Sequence, residues 1–378
     1  MRSTQSPGLQ ATAATQICSK PPVCPLTRLL TACLRWKDEH SMALRKNFAG
    51  IDYFRFTAAF MVIAIHVAPF SSWNETLDFL VTYCLARVAV PFFFMVTGYF
   101  VLAPYLSSNF RKKNALRRFF VKNTTLYLGV SLLYLPVILY SGKLPKNILV
   151  FLKQLFFDGT FYHLWYFPAV LMGCFLLILL CRVSVSFAAG FSIAAYVFGL
   201  LGDSYYGAVK DVPVISSVLD AVFQISKHTR NGIFFAPVFL LLGALIAVYR
   251  IHIPKPACRL GLCISLALLL IEGYVTYSLN LQKHNSMYLF LLPSLFFLFE
   301  LLLTIKGHAP AWIRNSSMLL YVIHPAIIVI LRGAAKAVKL SPVLVEQTMI
   351  QYILVCALSV AAVYIFQVLT SLVLPKGK

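Results

Sequence analysis

The sequence predicts an all-α polytopic membrane protein, with about ten transmembrane helices around a polar cavity. Three observations predict it. Of 378 residues, 60% are hydrophobic and only 12% are charged, where a water-soluble domain carries about 25% charged residues. The mean hydropathy is +0.80. The apolar residues recur in runs of about 20, the length that crosses roughly 30 Å of hydrocarbon. The same figures exclude soluble-enzyme, disordered, collagen-like and secreted disulfide-bonded classes, because 31 Phe and 19 Tyr need burial in protein or lipid. A net charge of +21 would point to nucleic acid in a soluble chain. In a membrane protein it is the basic excess that sets topology, and no nucleic-acid partner is expected.

Residues 1–46 are polar, basic and rich in Thr, Ser and Pro, and read as a disordered leader. Met42 is followed by a short basic stretch that runs straight into the first apolar segment, so the first 41 residues are read as dispensable or as a start-site artefact. The integral-membrane domain is expected over 47–378. Its apolar runs fall at roughly 51–70, 84–103, 123–141, 164–181, 184–201, 232–250, 260–279, 286–305, 316–332 and 349–374. With the N-terminus inside, the cytoplasmic segments hold 14 Lys and Arg and the outer ones 10, and the first outer loop has none. Both termini are therefore expected in the cytoplasm, in the plasma membrane. The stretch from Pro145 to Phe161 is too short and too charged to cross, and reads as an amphipathic segment on the outer face. The nine cysteines show no CxxC and no Cys/His spacing for a metal, so they read as small apolar residues, and no metal is expected. No GxSxG, Walker loop or HExxH is present.

An ionisable residue inside a span costs on the order of 2.5–3.5 kcal/mol on insertion scales, which makes each one a functional candidate. The first span carries Asp52, Arg55 and His66. Asp52 and Arg55 are one turn apart and can pair. His66 lies eleven positions beyond Arg55, which returns it to within roughly 20° of the same face and about 16 Å further along the axis. His66 fits either a titratable base or a hydrogen bond to a neighbouring helix, and Arg55 either a binding cation or a snorkelling one. The second span begins at Arg87, which reaches either a cavity or the headgroups, and its Pro91 and Gly98 permit a kink and a close helix contact. The basic run after it contains Arg117, Arg118 and Lys122, read as a topology anchor or as a phosphate holder. His163, Trp165 and Tyr166 stand at the outer mouth of the fourth span, and His228, Arg230 and Asn231 lead into the sixth. Glu272, deep in the seventh span, is the least comfortable carboxylate, and His324 is mid-membrane before Pro325.

The segment "IDYFRFTAAFMVIAIH" matches a D-x-x-R-x10-H signature through Asp52, Arg55 and His66. With "ARVAVPFFFMVTGYF" and the late "YVIHP" containing His324, it resembles the membrane acyltransferase-3 family over about residues 47–374. In "RVAVPFFFM" and "HPAIIVILRG" the wording is especially similar to the membrane domain of the vancomycin-resistance type of membrane-bound serine/alanine racemases. The resemblance implies an acyltransferase-3-like bundle and an O-acyltransferase that takes an acyl group from cytosolic acyl-CoA, with acetyl-CoA the expected donor and no permanently bound cofactor. His66 would be the base or transient acyl carrier, with Glu272 and His324 as further catalytic candidates. Arg55, Arg117, Arg118 and Lys122 would hold the acyl-CoA. The family often has R-x-x-R in that loop, and this chain offers its basic residues at another spacing. Arg87, His163, Trp165 and Arg230 would face a hydroxyl acceptor, either a cell-surface glycan or a small molecule. No racemase domain, hence no pyridoxal-phosphate lysine, and no extracytoplasmic hydrolase domain is expected after Lys378. Homo-oligomerisation is left open. The rival reading is a transporter of serine or a similar small solute, in which an arginine takes the carboxylate and Glu272 the ammonium.

Overall fold

The computed structural model describes residues 48–142 and 144–373, and those residues form helices joined by turns, with no strand among them. The leader expected at 1–46, with the alternative start at Met42, lies outside the described residues. Seven of the helices are long and apolar enough to cross a membrane: α1, Ala49–Val67; α2, Glu75–Ser107; α3, Asn114–Tyr140; α5, Tyr166–Val183; α9, Lys255–Ser278; α11, Ala311–Ala337; and α12, Thr348–Ser371. Between them lie a short helix α4, Ile148–Lys153, and four apolar helices of intermediate length: α6, Val185–Leu201; α7, Pro213–Ile225; α8, Ala236–Tyr249; and α10, Leu291–Leu303. We call the end of the bundle where α1 begins the near face and the opposite end the far face.

α1 ends where the sequence dictates. Pro69 cannot continue a helix, and Ala68 takes the left-handed conformation at φ 57° while its N–H closes the last turn on the Ala64 carbonyl. The far-face turn that follows is tied to its neighbours: Asp78 accepts from the Phe70 N–H and the Thr82 hydroxyl, and the Thr348 hydroxyl donates to the Pro69 carbonyl. Asn74 caps the start of α2 by accepting from the Leu77 N–H.

α2 is interrupted twice. A 3-10 turn covers Leu85–Val88, just ahead of Pro91, and a π turn covers Gly98–Leu102. The close contact expected at Gly98 is present. A β-carbon on Gly98 would stand 1.9 Å from the Leu240 carbonyl oxygen, and one on Gly243 would stand 2.2 Å from that of Met95. α2 and α8 thus meet backbone to backbone through two reciprocal glycines, the small-residue packing that brings membrane helices together. α8 is the centre of the bundle, and an aromatic core of Phe92, Phe94, Phe167, Phe235, Phe239 and Phe299 is fully buried around it. α3, α9 and α12 stand at the periphery. Leu128, Leu132 and Leu139 on α3 and Ile353, Ile365 and Leu369 on α12 remain exposed, as a lipid-facing surface requires.

The Pro145–Phe161 stretch contains α4 and a π turn over Gln154–Asp158, with Ile148, Leu149 and Phe156 exposed. Lys153 donates from Nζ to the Phe223 and Gln224 carbonyls at the end of α7, so α4 and α7 are joined on the far face.

Candidate active site

The near half of α1 carries Asp52 and Arg55, paired at 3.6 Å across one helical turn. The Arg55 Nε is buried without a partner among the described residues. His66 occupies the last turn of α1 at the far end, and there it meets two further histidines. Its ring stacks on that of His324, with centroids 5.3 Å apart and planes 20° from parallel, while Tyr162 meets it edge-on at 4.8 Å. His163 stands 5.6 Å from His324. Three rings predicted singly from the sequence therefore form one cluster, drawn from α1, the loop before α5, and α11.

Each ring is held by local chemistry. His163 lies in the turn between Gly159 and α5. Gly159 is at φ +81°, and a β-carbon there would stand 2.4 Å from the Trp165 nitrogen, so only glycine lets this loop fold in. The His163 carbonyl accepts the Tyr321 hydroxyl, and both ring nitrogens are buried with no partner among the described residues. Burial, then the neighbouring His324, holds His163 well below the ordinary imidazole range, so the ring is neutral. His324 has its Nδ1 3.0 Å from the Leu320 carbonyl. A carbonyl only accepts, so Nδ1 carries the hydrogen and Nε2 keeps its lone pair. That Nε2 is buried and unpartnered among the described residues.

α11 stays helical through Pro325. The missing N–H of Pro325 leaves the Tyr321 carbonyl without its helical donor, and the hydroxyl of Tyr134 on α3 sits at the next rung: it donates to the Val322 carbonyl at 2.7 Å and accepts from the Ala326 N–H at 3.1 Å. The same ring lies edge-on to His163, with centroids 5.1 Å apart. Tyr134 therefore fixes both the turn that carries His324 and the ring beside it.

Next to the rings are two arginines. Arg87, 9% exposed, donates from one terminal nitrogen to Asn285 Oδ1 at 2.6 Å and lies 5.3 Å from the Tyr83 ring centre. Arg230 donates to Ser286 Oγ at 2.9 Å and lies 5.1 Å from the Trp165 ring centre. Burial, with help from the Arg87 charge, lowers Arg230 to about 10, which leaves it a cation at neutral pH.

The whole frame of this site matches a known family. The family model described as an acyltransferase domain, acyltransferase-3, matches residues 48–368. The chain belongs to the acyltransferase-3 family. An amino-acid racemase of Enterococcus faecalis is 39% identical over 348 residues, 89% of this chain and 47% of that protein. A serine/alanine racemase of Enterococcus gallinarum is 39% identical over 327 residues, 84% of this chain and 45% of that protein. The chain thus spans under half the length of these relatives. No solved structure gives a significant match.

Not every predicted residue of this acyltransferase-family membrane protein joins the cluster. Glu272 on α9 is engaged elsewhere: Oε1 accepts from the Tyr205 hydroxyl at 2.7 Å and the Leu289 N–H at 2.6 Å, and Oε2 accepts from the Phe290 N–H at 2.9 Å. Both oxygens cap the start of α10, so a buried carboxylate that looked reactive in sequence is satisfied by backbone amides. Arg117, Arg118 and Lys122 stand on the first turns of α3 at the near face; Arg117 and Lys122 are exposed, and Arg118 donates from Nε to the Asn114 carbonyl. Among the described residues no group of three or more His, Cys, Asp or Glu is arranged to hold a metal ion.

Sequence reasoning missed Tyr134, Tyr162, Asn285 and Ser286, none of which is ionised or unusual in a membrane chain. Asp203 was missed as well. It is fully buried, and its Oδ1 accepts from the Ser286 and Met287 N–H groups at 2.6 and 2.9 Å. A lone carboxylate closing an apolar run was its one available signal.

Proposed function

We propose that this protein is a membrane O-acyltransferase that moves an acyl group, in the first instance acetyl, from cytosolic acyl-CoA to a hydroxyl acceptor reaching the far face. The near face is then cytoplasmic, both termini with it, and the membrane is the plasma membrane. The single observation that carries the reading is the stacked His66–His324 pair at the far end of the helix whose near end holds Arg55.

The acyl-CoA is anionic and large, while its pantetheine arm is thin. Its phosphates suit Arg55 with Arg117, Arg118 and Lys122 at the near face, and its arm suits a passage along α1 toward His66. The His324 Nε2 lone pair, fixed by the bond at Nδ1, is suited to take the acceptor's hydroxyl proton as the oxygen attacks the thioester carbonyl. The His324 imidazolium so formed then gives that proton to the departing CoA thiolate, and His66, half-buried against that ring, is suited to hold the reactants beside it or to carry the acyl group for one step. In this scheme Glu272 positions α10 and takes no part in the chemistry.

The test uses full-length protein in lipid nanodiscs with radiolabelled acetyl-CoA. Label moves to acceptor in the wild type and falls at least 100-fold in His66→Ala and His324→Ala, while Arg55→Ala raises the KM for acetyl-CoA. Undiminished transfer in His66→Ala would falsify the mechanism.

A second reading has one specific observation in its favour, the racemase names of the relatives, whose reactants are amino acids. The domain would then pass serine or a similar solute across the membrane. Solute uptake into liposomes free of CoA supports that reading, and CoA-dependent labelling supports ours.

A further inference from the structure

Arg87 and Arg230 are more than the proposed transfer needs. A buried guanidinium is normally matched by a carboxylate, because an unpaired charge in a membrane interior is costly. Among the described residues no carboxylate lies within 4.0 Å of either group, although the Asp52–Arg55 pair shows that the fold supplies one where it is wanted. Each guanidinium has five N–H donors. The side-chain acceptors provided are Asn285 for Arg87 and Ser286 for Arg230, and the Nε of each is buried without a partner among the described residues. Asn285 and Ser286 are consecutive, with α-carbons about 3.8 Å apart, so one peptide unit tethers both cations at a single place. The two charges act on each other and both act on His66. Arg230 also packs on Trp165, two residues along the chain from His163, which places that end of the pair on the turn that carries one of the rings.

Two carboxylates lie further off. Asp203 acts on both arginines and Asp158 on Arg230, but each has Oδ1 committed to backbone N–H groups, of Ser286 and Met287 for Asp203 and of Lys227 for Asp158. They offset the cations at long range without filling their donors. They also repel a ligand group that carries a second negative charge.

We infer that Arg87 and Arg230 together bind a carboxylate, and that the acceptor of the acyl group is accordingly a monoanionic, carboxylate-bearing molecule whose hydroxyl is presented to the histidine pair. This rests on the transferase reading for its second half and on the arginine geometry alone for its first. Two guanidinium groups tethered by consecutive residues, each with an unpartnered Nε, suit the two oxygens of one carboxylate. A phosphate monoester, nearly doubly charged, faces Asp203 and Asp158 at a disadvantage.

The experiment measures binding first and transfer second. Full-length protein in nanodiscs is titrated calorimetrically, without acetyl-CoA, with glycolate and D-glucuronate, with the neutral counterparts glycolamide and D-glucose, and with D-glucose 6-phosphate. At least one carboxylate binds saturably below 10 mM, at least tenfold more tightly than its neutral counterpart and than the phosphate. Arg87→Gln and Arg230→Gln each weaken it tenfold or more. Asn285→Ala, which leaves both charges in place but unties Arg87, weakens it severalfold and serves if Arg87→Gln does not fold. Neutral and anionic probes binding alike, no binding by any carboxylate up to 50 mM, or a Gln variant that binds as the wild type does overturns the inference. Acetyl-CoA is then added. Carboxylate binding with no acetyl transfer keeps the arginine site and removes the transferase reading; transfer to D-glucose as fast as to D-glucuronate keeps the transferase and removes the site.

Discussion

Replacing Tyr134 by phenylalanine deletes one oxygen beside Pro325 of α11, and the consequences can be worked out. That oxygen serves as donor to the Val322 carbonyl and acceptor for the Ala326 N–H, and the ring around it is 1% exposed. Two intramolecular hydrogen bonds at about 1 kcal/mol each are lost. The two backbone groups then either stay unpaired, at about 1–3 kcal/mol each, or close on each other as an ordinary helical rung, which recovers about one bond. The second outcome is cheaper, so the stability loss settles at about 1–2 kcal/mol. Closing the rung straightens the turn that holds His324 between Val322 and Ala326, and a displacement of about 1 Å at a reacting group costs on the order of 100-fold in rate. Tyr134→Phe therefore lowers kcat for acetyl transfer 10- to 100-fold while the KM for acetyl-CoA, whose proposed contacts lie at the near face, stays within about twofold. Thermal unfolding in detergent and initial rates with labelled acetyl-CoA measure both. A variant with wild-type kcat, or one whose defect lies wholly in KM, refutes the assignment of Tyr134 as a positioning residue.

Three other outcomes are expected. Gly243→Ala drives a β-carbon into the Met95 carbonyl and costs about 3 kcal/mol or more by overpacking, whereas Gly129→Ala, with nothing within 4 Å, is neutral or mildly stabilising in a helix; equal melting behaviour of the two would remove the glycine contact from the account of the fold. Glu272→Gln removes an acceptor for the α10 amides and lowers stability by about 1–3 kcal/mol, with the folded fraction retaining its specific activity; a stable but inactive variant would return Glu272 to the reaction. Burial, followed by the Arg230 charge, lowers His228 to about 2, so the folded protein stays unprotonated there at pH values where the unfolded chain, with its ordinary value near 6.5, takes a proton. This stabilising contribution is complete above about pH 6.5 and is lost as the pH falls below it. Unfolding midpoints from pH 8 to 5 show the decline, and His228→Asn makes it shallower; an acid limb of unchanged slope in that variant would assign the effect to other groups.

Much of the bundle was legible because hydropathy reads side chains directly. It failed at α8 and α10 for a definite reason. The apolar runs at 232–250 and 286–305 both begin several residues before their helices, which start at Ala236 and Leu291. In the first, Asn231 Oδ1 takes the Ile233 and Phe234 N–H groups. In the second, Asp203 takes those of Ser286 and Met287, and Glu272 those of Leu289 and Phe290. Apolar residues whose amides are claimed by a side chain form a turn, and nothing in apolarity records who accepts an N–H. The bonding of Glu272 was hidden on the same account, since its partners are amides 17 and 18 residues away. The histidines were legible because a titratable ring in an apolar run is rare; Tyr134 was not, because tyrosine is common in membrane helices and its value here depends on the Val322 carbonyl, 188 residues further along.

The two shortened helices have an electrical consequence. At 14 and 13 residues and 1.5 Å per residue, α8 and α10 insulate only about 20 Å of a hydrocarbon layer roughly 30 Å thick. The remainder is occupied by polar turns carrying arginines, carboxylates and histidines, which conduct the potential far better than lipid does. Where water reaches those turns, the transmembrane voltage falls across the helical layer alone, about two-thirds as thick, with a local field about half again as steep. A full elementary charge crossing that layer is worth about 2.3 kcal/mol per 100 mV. Any proton that enters the histidine rings from one side and leaves by the other carries this energy with it, so the resting polarisation of the membrane pulls on the turnover of the site.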